Sequence, residues 1–256
     1  MSWQSEALLY VTTFIAGFLN ATVGGGGLLQ IPMLMLVLPA TPLAHLVGTA
    51  KVAGFPGLGG AAITFTRQLK PAWPLIIRAG LAEMPFAVLG ASVATRLNPA
   101  YARPIILTLL AAMAAHVLLH PGFGQVPNER PRSMTGPLPW LVGAAIGFYE
   151  GFLGSGSGSI LIVIFVMVFG LDLVGAAVAS AMVTLAGVAA AVVTFVAADS
   201  VLMSLALRMA VFNIAGALLG ARLVTLKGNA LLRRLLGFAL LLLIARLSWE
   251  MFTIPR

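Results

Sequence analysis

Three ionisable side chains lie inside strongly apolar stretches of this 256-residue chain. Lys51 ends the motif "VGTAK", Glu83 lies within "AGLAEMPFAVLG", and Glu150 precedes a glycine-rich stretch. An ammonium buried at such a position is costly and has a partner or a task. We therefore predict that Lys51 pairs with Glu83 or Glu150 in the empty protein and contacts an anion in the loaded one. The alternative interpretation is a static buried ion pair.

Glycine interrupts two apolar stretches in a way that a continuous helix tolerates poorly. The first interruption is "GGGG" and the second is "GSGSGS". Gly costs about 1 kcal/mol relative to Ala in a helix interior, and a helix that starts beside a break offers N–H donors to an anion. The predicted substrate-binding residues at these breaks, together with the small-residue element before Lys51, are Gly24, Gly25, Gly26, Gly27, Thr49, Lys51, Gly154, Ser155, Gly156, Ser157 and Gly158. Close helix packing through small residues is the alternative.

The composition indicates that these apolar segments lie in a lipid bilayer. Hydrophobic residues make up 60% of the chain and charged residues only 9%, and the mean hydropathy is +1.05. A typical soluble domain is about 25% charged. The net charge of +8 comes from basic residues that fall mainly between apolar segments, which favours membrane orientation over nucleic-acid binding. The chain has no cysteine and no HExxH spacing, so neither a metal site nor a cofactor is predicted.

The chain is also duplicated. A shift of about 130 residues brings Gly17 onto Gly147 and Gly24 onto Gly154, and it aligns "VLGASVATRL" with "LLGARLVTLK". We predict an N-terminal repeat over 1–119, a Pro- and Gly-rich linker over 120–139, and a C-terminal repeat over 140–256.

The repeat also relates the buried polar residues to one another. Glu83 corresponds to Asn213, and Asn20 corresponds to Glu150, so that each pair contains one acid and one amide. We predict that these four residues converge near the membrane midplane and act in coupling or gating.

The lengths of the apolar segments predict how each half crosses the membrane. In the first half they lie near 6–38, 45–66, 72–96 and 101–119. The last three each suit one span of about 20 residues, whereas the first, as one helix, would far exceed the roughly 30 Å hydrocarbon core. The fold class that we predict is an all-α integral membrane protein with two inverted repeats. Each repeat has one Gly-broken re-entrant hairpin and three transmembrane helices.

The distribution of basic residues supports this topology. With re-entrant first segments, one face collects nine Lys and Arg residues and the other four, whereas complete crossings divide the same residues seven to six. The positive-inside rule favours the uneven division. We predict a multi-pass protein of the inner (cell) membrane, with the more basic face cytoplasmic and both termini outside.

These motifs resemble those of the TauE/SafE-type sulfite exporters. Members open each half with a pattern like G-x-x-x-G-x-x-G-x-G-G-G, followed by an A-x-G-T-S element. Here "VGTAK" has Ala50 in place of the serine, while "VASAM" keeps Ser180 but lacks the Gly and Thr. The resemblance spans roughly 10–119 and 140–250. It implies secondary transport of small sulfur-containing anions, and it adds Ser180 to the substrate-binding residues.

We therefore predict a permease for anions such as sulfite or sulfonates, with proton coupling as an option. A passive anion channel is the alternative, and a membrane-embedded enzyme is weaker because "GSGSGS" lacks the G-x-S-x-G spacing. The expected partners are the anion and the lipid bilayer, with no nucleic acid. Homo-oligomerisation is left open.

Overall fold

The computed structural model describes residues 3–96 and 132–253, and this part of the chain is entirely α-helical outside its turns and loops. The all-helical prediction is confirmed there, while the predicted span at 101–119 lies outside the described residues. The helices are α1 (Trp3–Thr22), α2 (Gly27–Val37), α3 (Leu43–Gln68), α4 (Trp73–Arg96), α5 (Leu138–Phe152), α6 (Ser157–Met167), α7 (Leu173–Ala197) and α8 (Met203–Thr253). Helical geometry in α8 is interrupted at Gly228, where φ is 58° and ψ is −148°.

Four described helices are long and apolar enough to cross a membrane. They are α3, α4, α7 and the Met203–Gly228 part of α8. Large apolar side chains such as Leu81, Val193 and Val211 point outward from them and are more than half exposed. Such side chains suit a surface that faces lipid, and the prediction of a multi-pass membrane protein is supported.

The two glycine-rich segments are each divided into a pair of helices. Residues 23–26 separate α1 from α2, and residues 153–156 separate α5 from α6. Since α2 and α6 have only 11 residues each, neither is long enough to cross a bilayer alone.

The two halves interlock through glycine contacts. Helix α1 packs on α8, and helix α5 packs on α4. A β-carbon at Gly17 would overlap the Asn213 carbonyl oxygen, and one at Gly147 would overlap the Glu83 carbonyl oxygen. These two contacts are 130 residues apart in both partners, so the same close approach is made twice, as small residues permit between membrane helices.

Two buried apolar clusters lie away from these glycine contacts. One joins the ends of α1, α3 and α6 and the 217–224 part of α8 with the starts of α4, α5 and α7, and its largest side chains include Phe65, Phe165 and Phe169. The other joins the starts of α1, α3 and α8 with the ends of α2, α4, α5 and α7, and it includes Leu9 and Phe195.

Candidate functional site

The two helix breaks share one backbone geometry. At the end of α1 the carbonyl oxygen of Leu19 accepts from the N–H groups of Val23 and Gly24, both at 2.8 Å. At the end of α5 the carbonyl oxygen of Tyr149 accepts from Leu153 and Gly154, both at 2.9 Å. Gly24 and Gly154 have φ values of +72° and +74°, a left-handed conformation that glycine adopts without strain and that ends a helix.

The breaks also touch one another. The Ser159 hydroxyl donates to the Val23 carbonyl oxygen at 2.6 Å. The Gly24 and Gly158 backbones are so close that a β-carbon on Gly158 would lie 2.7 Å from the Gly24 α-carbon. Glycine at these two positions therefore serves the contact between the breaks as well as the breaks themselves.

A buried ion pair lies at this meeting point. The Lys51 ammonium of α3 is 2.7 Å from Glu150 Oε1 and 2.5 Å from the Glu150 carbonyl oxygen. The Ser157 hydroxyl donates to Glu150 Oε2. Lys51 is 6% exposed and Glu150 is 3% exposed. Of the two partners that the sequence allows for Lys51, the structure therefore has Glu150.

A cavity of about 50 Å³ adjoins this pair. Since about 10–15 Å³ is enough to hold one water, it has room for a few waters or one small ion. The predicted site residues in its wall are Asn20, Gly24, Gly27, Lys51, Glu150, Gly154, Ser157, Gly158 and Ser180. The predicted site residues that do not line it are Gly25, Gly26, Thr49, Glu83, Ser155, Gly156 and Asn213.

Two polar side chains of the wall hold the backbone at the breaks. Asn20 Oδ1 accepts from the Gly26 N–H at 2.8 Å, which fixes the start of α2. The Ser180 hydroxyl of α7 donates to the Gly158 carbonyl oxygen at 2.8 Å. Both contacts hold the backbone around the cavity. The Asn20 and Ser180 side chains therefore each already have one hydrogen-bond partner.

Thr49, which the sequence predicts to bind substrate, does not line the cavity. Its hydroxyl donates to the His45 carbonyl oxygen at 2.6 Å and accepts from the Leu202 N–H at 3.0 Å. Thr49 therefore fastens α3 to the start of α8, away from the cavity.

The second acid–amide pair, Glu83 and Asn213, does not line the cavity. Glu83 is fully buried, neither of its carboxyl oxygens has a hydrogen-bond partner, and its carboxyl group packs against Gly187. Asn213 packs its side chain against Gly57 in the same manner, and its amide nitrogen donates to the Thr13 carbonyl oxygen at 3.5 Å. Asn20 and Glu150 thus meet at the cavity, whereas Glu83 and Asn213 do not line it.

Gln30 and Thr184 also line the cavity, and neither is among the predicted residues. Gln30 Nε2 and Thr184 Oγ1 are buried without a hydrogen-bond partner. The sequence carries a weak signal for each, because Gln30 is the one polar side chain of α2 and Thr184 lies one helical turn after Ser180.

Both halves of the described chain contribute residues to the cavity wall. Most of its wall consists of residues that correspond at a spacing of 130, namely Asn20 with Glu150, Gly24 with Gly154, Gly27 with Ser157, Ala50 with Ser180, Lys51 with Ala181, Gly54 with Thr184, and Leu58 with Val188. The backbone is therefore repeated around the cavity, while its polar groups differ between the halves. Across the described residues, no group of three or more His, Asp or Glu side chains is placed to hold a metal ion.

Apolar spanning helices that enclose a small charged cavity at two helix breaks are the architecture of a membrane transporter. The sequence profile of the family described as "Sulfite exporter TauE/SafE" matches residues 9–247, and the chain belongs to this family. The resemblance inferred from the motifs is thereby confirmed, and membership of a transporter family favours transport over catalysis.

Curated relatives carry the same general description. A "Probable membrane transporter protein ORF9" of Sinorhizobium sp is 31% identical, with 96% of this chain and 94% of the relative covered. A "Probable membrane transporter protein" of Haemophilus influenzae is 28% identical, over 95% of this chain and 94% of the relative. The "Probable membrane transporter protein YfcA" of Escherichia coli is 29% identical, over 95% and 89%. No solved structure matches the chain significantly.

Proposed function

We propose that this protein is a secondary transporter that moves small sulfur-containing oxyanions, such as sulfite or sulfonates, across the inner membrane. The observation that carries the proposal is the buried Lys51 ammonium at the cavity between the two helix breaks. The substrate class follows the name of the family, which includes sulfite.

The electrostatics of the site favour an anion. Helices α2 and α6 both start at the breaks, at Gly27 and Ser157, and a helix N-terminus carries a positive partial charge. Such partial charges contribute about 0.3–1 kcal/mol each at exposed sites, which is less than the several kcal/mol needed to strip water from an ion. Lys51 supplies the full charge that makes up the difference.

Proton coupling follows from the pairing of Lys51 with Glu150. The Glu150 carboxylate is already paired with the Lys51 ammonium at 2.7 Å, so it competes with an incoming anion for that ammonium. Protonation of Glu150 removes this competing negative charge and frees the ammonium for the anion. The anion and one proton then enter the cavity together, and Glu83 is a second buried carboxyl group available to the proton.

We also propose that the halves are inverted repeats with re-entrant broken segments. The N–H of Arg132, just before α5, donates to the Val168 carbonyl oxygen, just after α6, at 2.9 Å. The start and the end of the second broken segment are therefore at one end of the molecule. The composition of the two apolar clusters also fits. Apart from the ends of α1 and α5, which lie at the breaks, each cluster groups the helix ends that this topology assigns to one membrane face.

Uptake into proteoliposomes tests the proposed function. We expect saturable sulfite uptake that rises when a proton gradient is imposed with the acidic side at the substrate. Flux that neither saturates nor responds to the gradient would instead identify a passive channel. Absence of uptake for sulfite and for short sulfonates would overturn the proposal.

A further inference from the structure

Two unsatisfied donors mark a part of the cavity wall that the ion pair does not use. Gln30 is 2% exposed and Thr184 is 9% exposed, and both line the cavity. The Gln30 side-chain nitrogen and the Thr184 hydroxyl have no hydrogen-bond partner in the protein. A buried polar group without a partner destabilises a fold, so its retention needs a reason.

The fold itself does not need a polar group at either position. The residues that correspond to Gln30 and Thr184 in the other repeat are Ile160 and Gly54, which have no side-chain donor. The equivalent backbone positions in the other half pack with an apolar residue or glycine. The donor of Gln30 is therefore specific to the N-terminal half, and the donor of Thr184 is specific to the C-terminal half. Ser180, one turn before Thr184, is different because it is already bonded to the Gly158 carbonyl oxygen.

The two residues belong to helices other than the one that carries the charge. Lys51 lies on α3, Gln30 on α2 and Thr184 on α7, so that three separate helices each contribute a residue with a side-chain donor to the lining of the cavity. A halide ion accepts hydrogen bonds from any direction, and the two oxygens of a carboxylate lie in one plane with its carbon, so neither ion requires donors that converge from three helices. An SO₃ group has three oxygens on one centre, which matches one donor from each helix.

We propose that Gln30 and Thr184 each bind one oxygen of the transported anion and that Lys51 binds the third. This inference rests on the proposed function and specifies its ligand as a compact anion with three oxygens on one atom. The cavity volume of about 50 Å³ suits sulfite or the head of a short alkyl sulfonate.

Shape-preserving substitutions test the proposal. Gln30→Met and Thr184→Val remove the donors and keep the side-chain volume. We expect the affinity for methanesulfonate and for sulfite, measured by titration calorimetry on purified protein, to fall about tenfold for each variant. The melting temperature without ligand stays at or above that of the parent, because the unpartnered group is gone.

Matched controls and a second ligand make the result specific. Gln68→Met changes an exposed glutamine at the end of α3, and Thr194→Val changes a threonine of α7 whose hydroxyl is bonded to the Ala190 carbonyl oxygen. Neither should alter affinity. In the Gln30 and Thr184 variants, the affinity for formate, which has two oxygens, should fall less than the affinity for methanesulfonate.

The outcomes separate the two proposals. If the parent binds methanesulfonate and the variants bind it equally tightly, or lose melting temperature together with affinity, Gln30 and Thr184 do not bind the ligand, and the proposed function survives. If formate loses as much affinity as methanesulfonate, the requirement for three oxygens is overturned. If the parent binds none of these anions, the proposed function fails and this inference fails with it.

Discussion

Lys51 and Glu150 neutralise one another across 99 residues of chain. Removing either partner of a buried pair leaves an uncompensated charge, which typically costs about 3–5 kcal/mol of stability. Substituting Lys51 alone, which leaves the Glu150 carboxylate buried and unpaired, therefore mixes a loss of stability with a loss of binding. Removing both charges at once separates the two effects, because no buried charge of the pair remains.

We predict that the double variant Lys51→Met with Glu150→Gln folds but no longer binds methanesulfonate. Loss of a buried charged partner costs about 2–5 kcal/mol of binding, so the affinity should fall roughly thirtyfold or more. Calorimetric titration beside a melting curve measures both quantities, and Lys51→Arg should lose less. Affinity equal to that of the parent would remove Lys51 from the anion site.

Glu150→Gln alone should uncouple the anion from the proton. The amide has no negative charge, so that no carboxylate competes with the anion for the Lys51 ammonium. In the parent, a proton gradient should drive uptake of sulfite. In the variant, anion exchange should persist without gradient-driven uptake.

The control for this prediction is Glu6→Gln. Glu6 lies in the first turn of α1, and its carboxylate is 3.7 Å from Arg208 at the surface. This variant should keep the gradient-driven uptake of the parent. A Glu150→Gln variant that keeps it as well would assign the coupled proton to another group.

Residue type alone was enough to predict the charged members of the site. Lys51 and Glu150 are conspicuous because few other charges lie in apolar segments. Gln30 is a neutral amide, which carries a much weaker signal. The contact between Thr49 and Leu202 joins positions 153 residues apart, and no local pattern in the sequence encodes such a contact.

At the scale of the elements, glycine content predicted where the helices break but not that the breaks meet. The propensity of glycine acts locally and can be read from "GGGG" and "GSGSGS". The contact between Gly24 and Gly158 depends on how two distant segments pack. The individual glycines are consequently not equivalent, since a β-carbon on Gly25 would meet only ordinary contacts whereas one on Gly24 or Gly158 would overlap the facing backbone.

We predict that Gly158→Ala impairs transport while Gly25→Ala does not. A β-carbon on Gly158 would lie 2.7 Å from the Gly24 α-carbon, whereas one on Gly25 meets only ordinary contacts at 3.6 Å and beyond. Overpacking of this kind costs about 1–3 kcal/mol. Sulfite uptake per inserted protein, with a melting curve for each variant, measures the difference. Equal uptake by the two variants would mean that the breaks need not touch.

At the scale of the whole molecule, the duplication in the sequence predicted two related halves but not how they interlock. Gly17 and Gly147 align in the sequence because they are repeat equivalents, yet each packs against the opposite half, on Asn213 and Glu83 respectively. A repeat pattern relates a residue to its copy and contains no information about which helix faces it. The cavity between the halves is a product of that packing.

The topology of the whole chain gives the last prediction. Because the chain has no cysteine, single cysteines at exposed positions report on one membrane face each. Ser133 and Asp172 flank the second broken segment and are exposed, as is Asp199 in the loop after α7. If α5 and α6 form a re-entrant hairpin, a membrane-impermeant maleimide should label Ser133→Cys and Asp172→Cys from the cytoplasmic side and Asp199→Cys from the outside. Leu81→Cys, which is 54% exposed within the apolar span α4, should be labelled from neither side. Labelling of Ser133→Cys and Asp172→Cys from opposite sides would mean that the segment crosses completely, and the inverted-repeat topology would then be wrong.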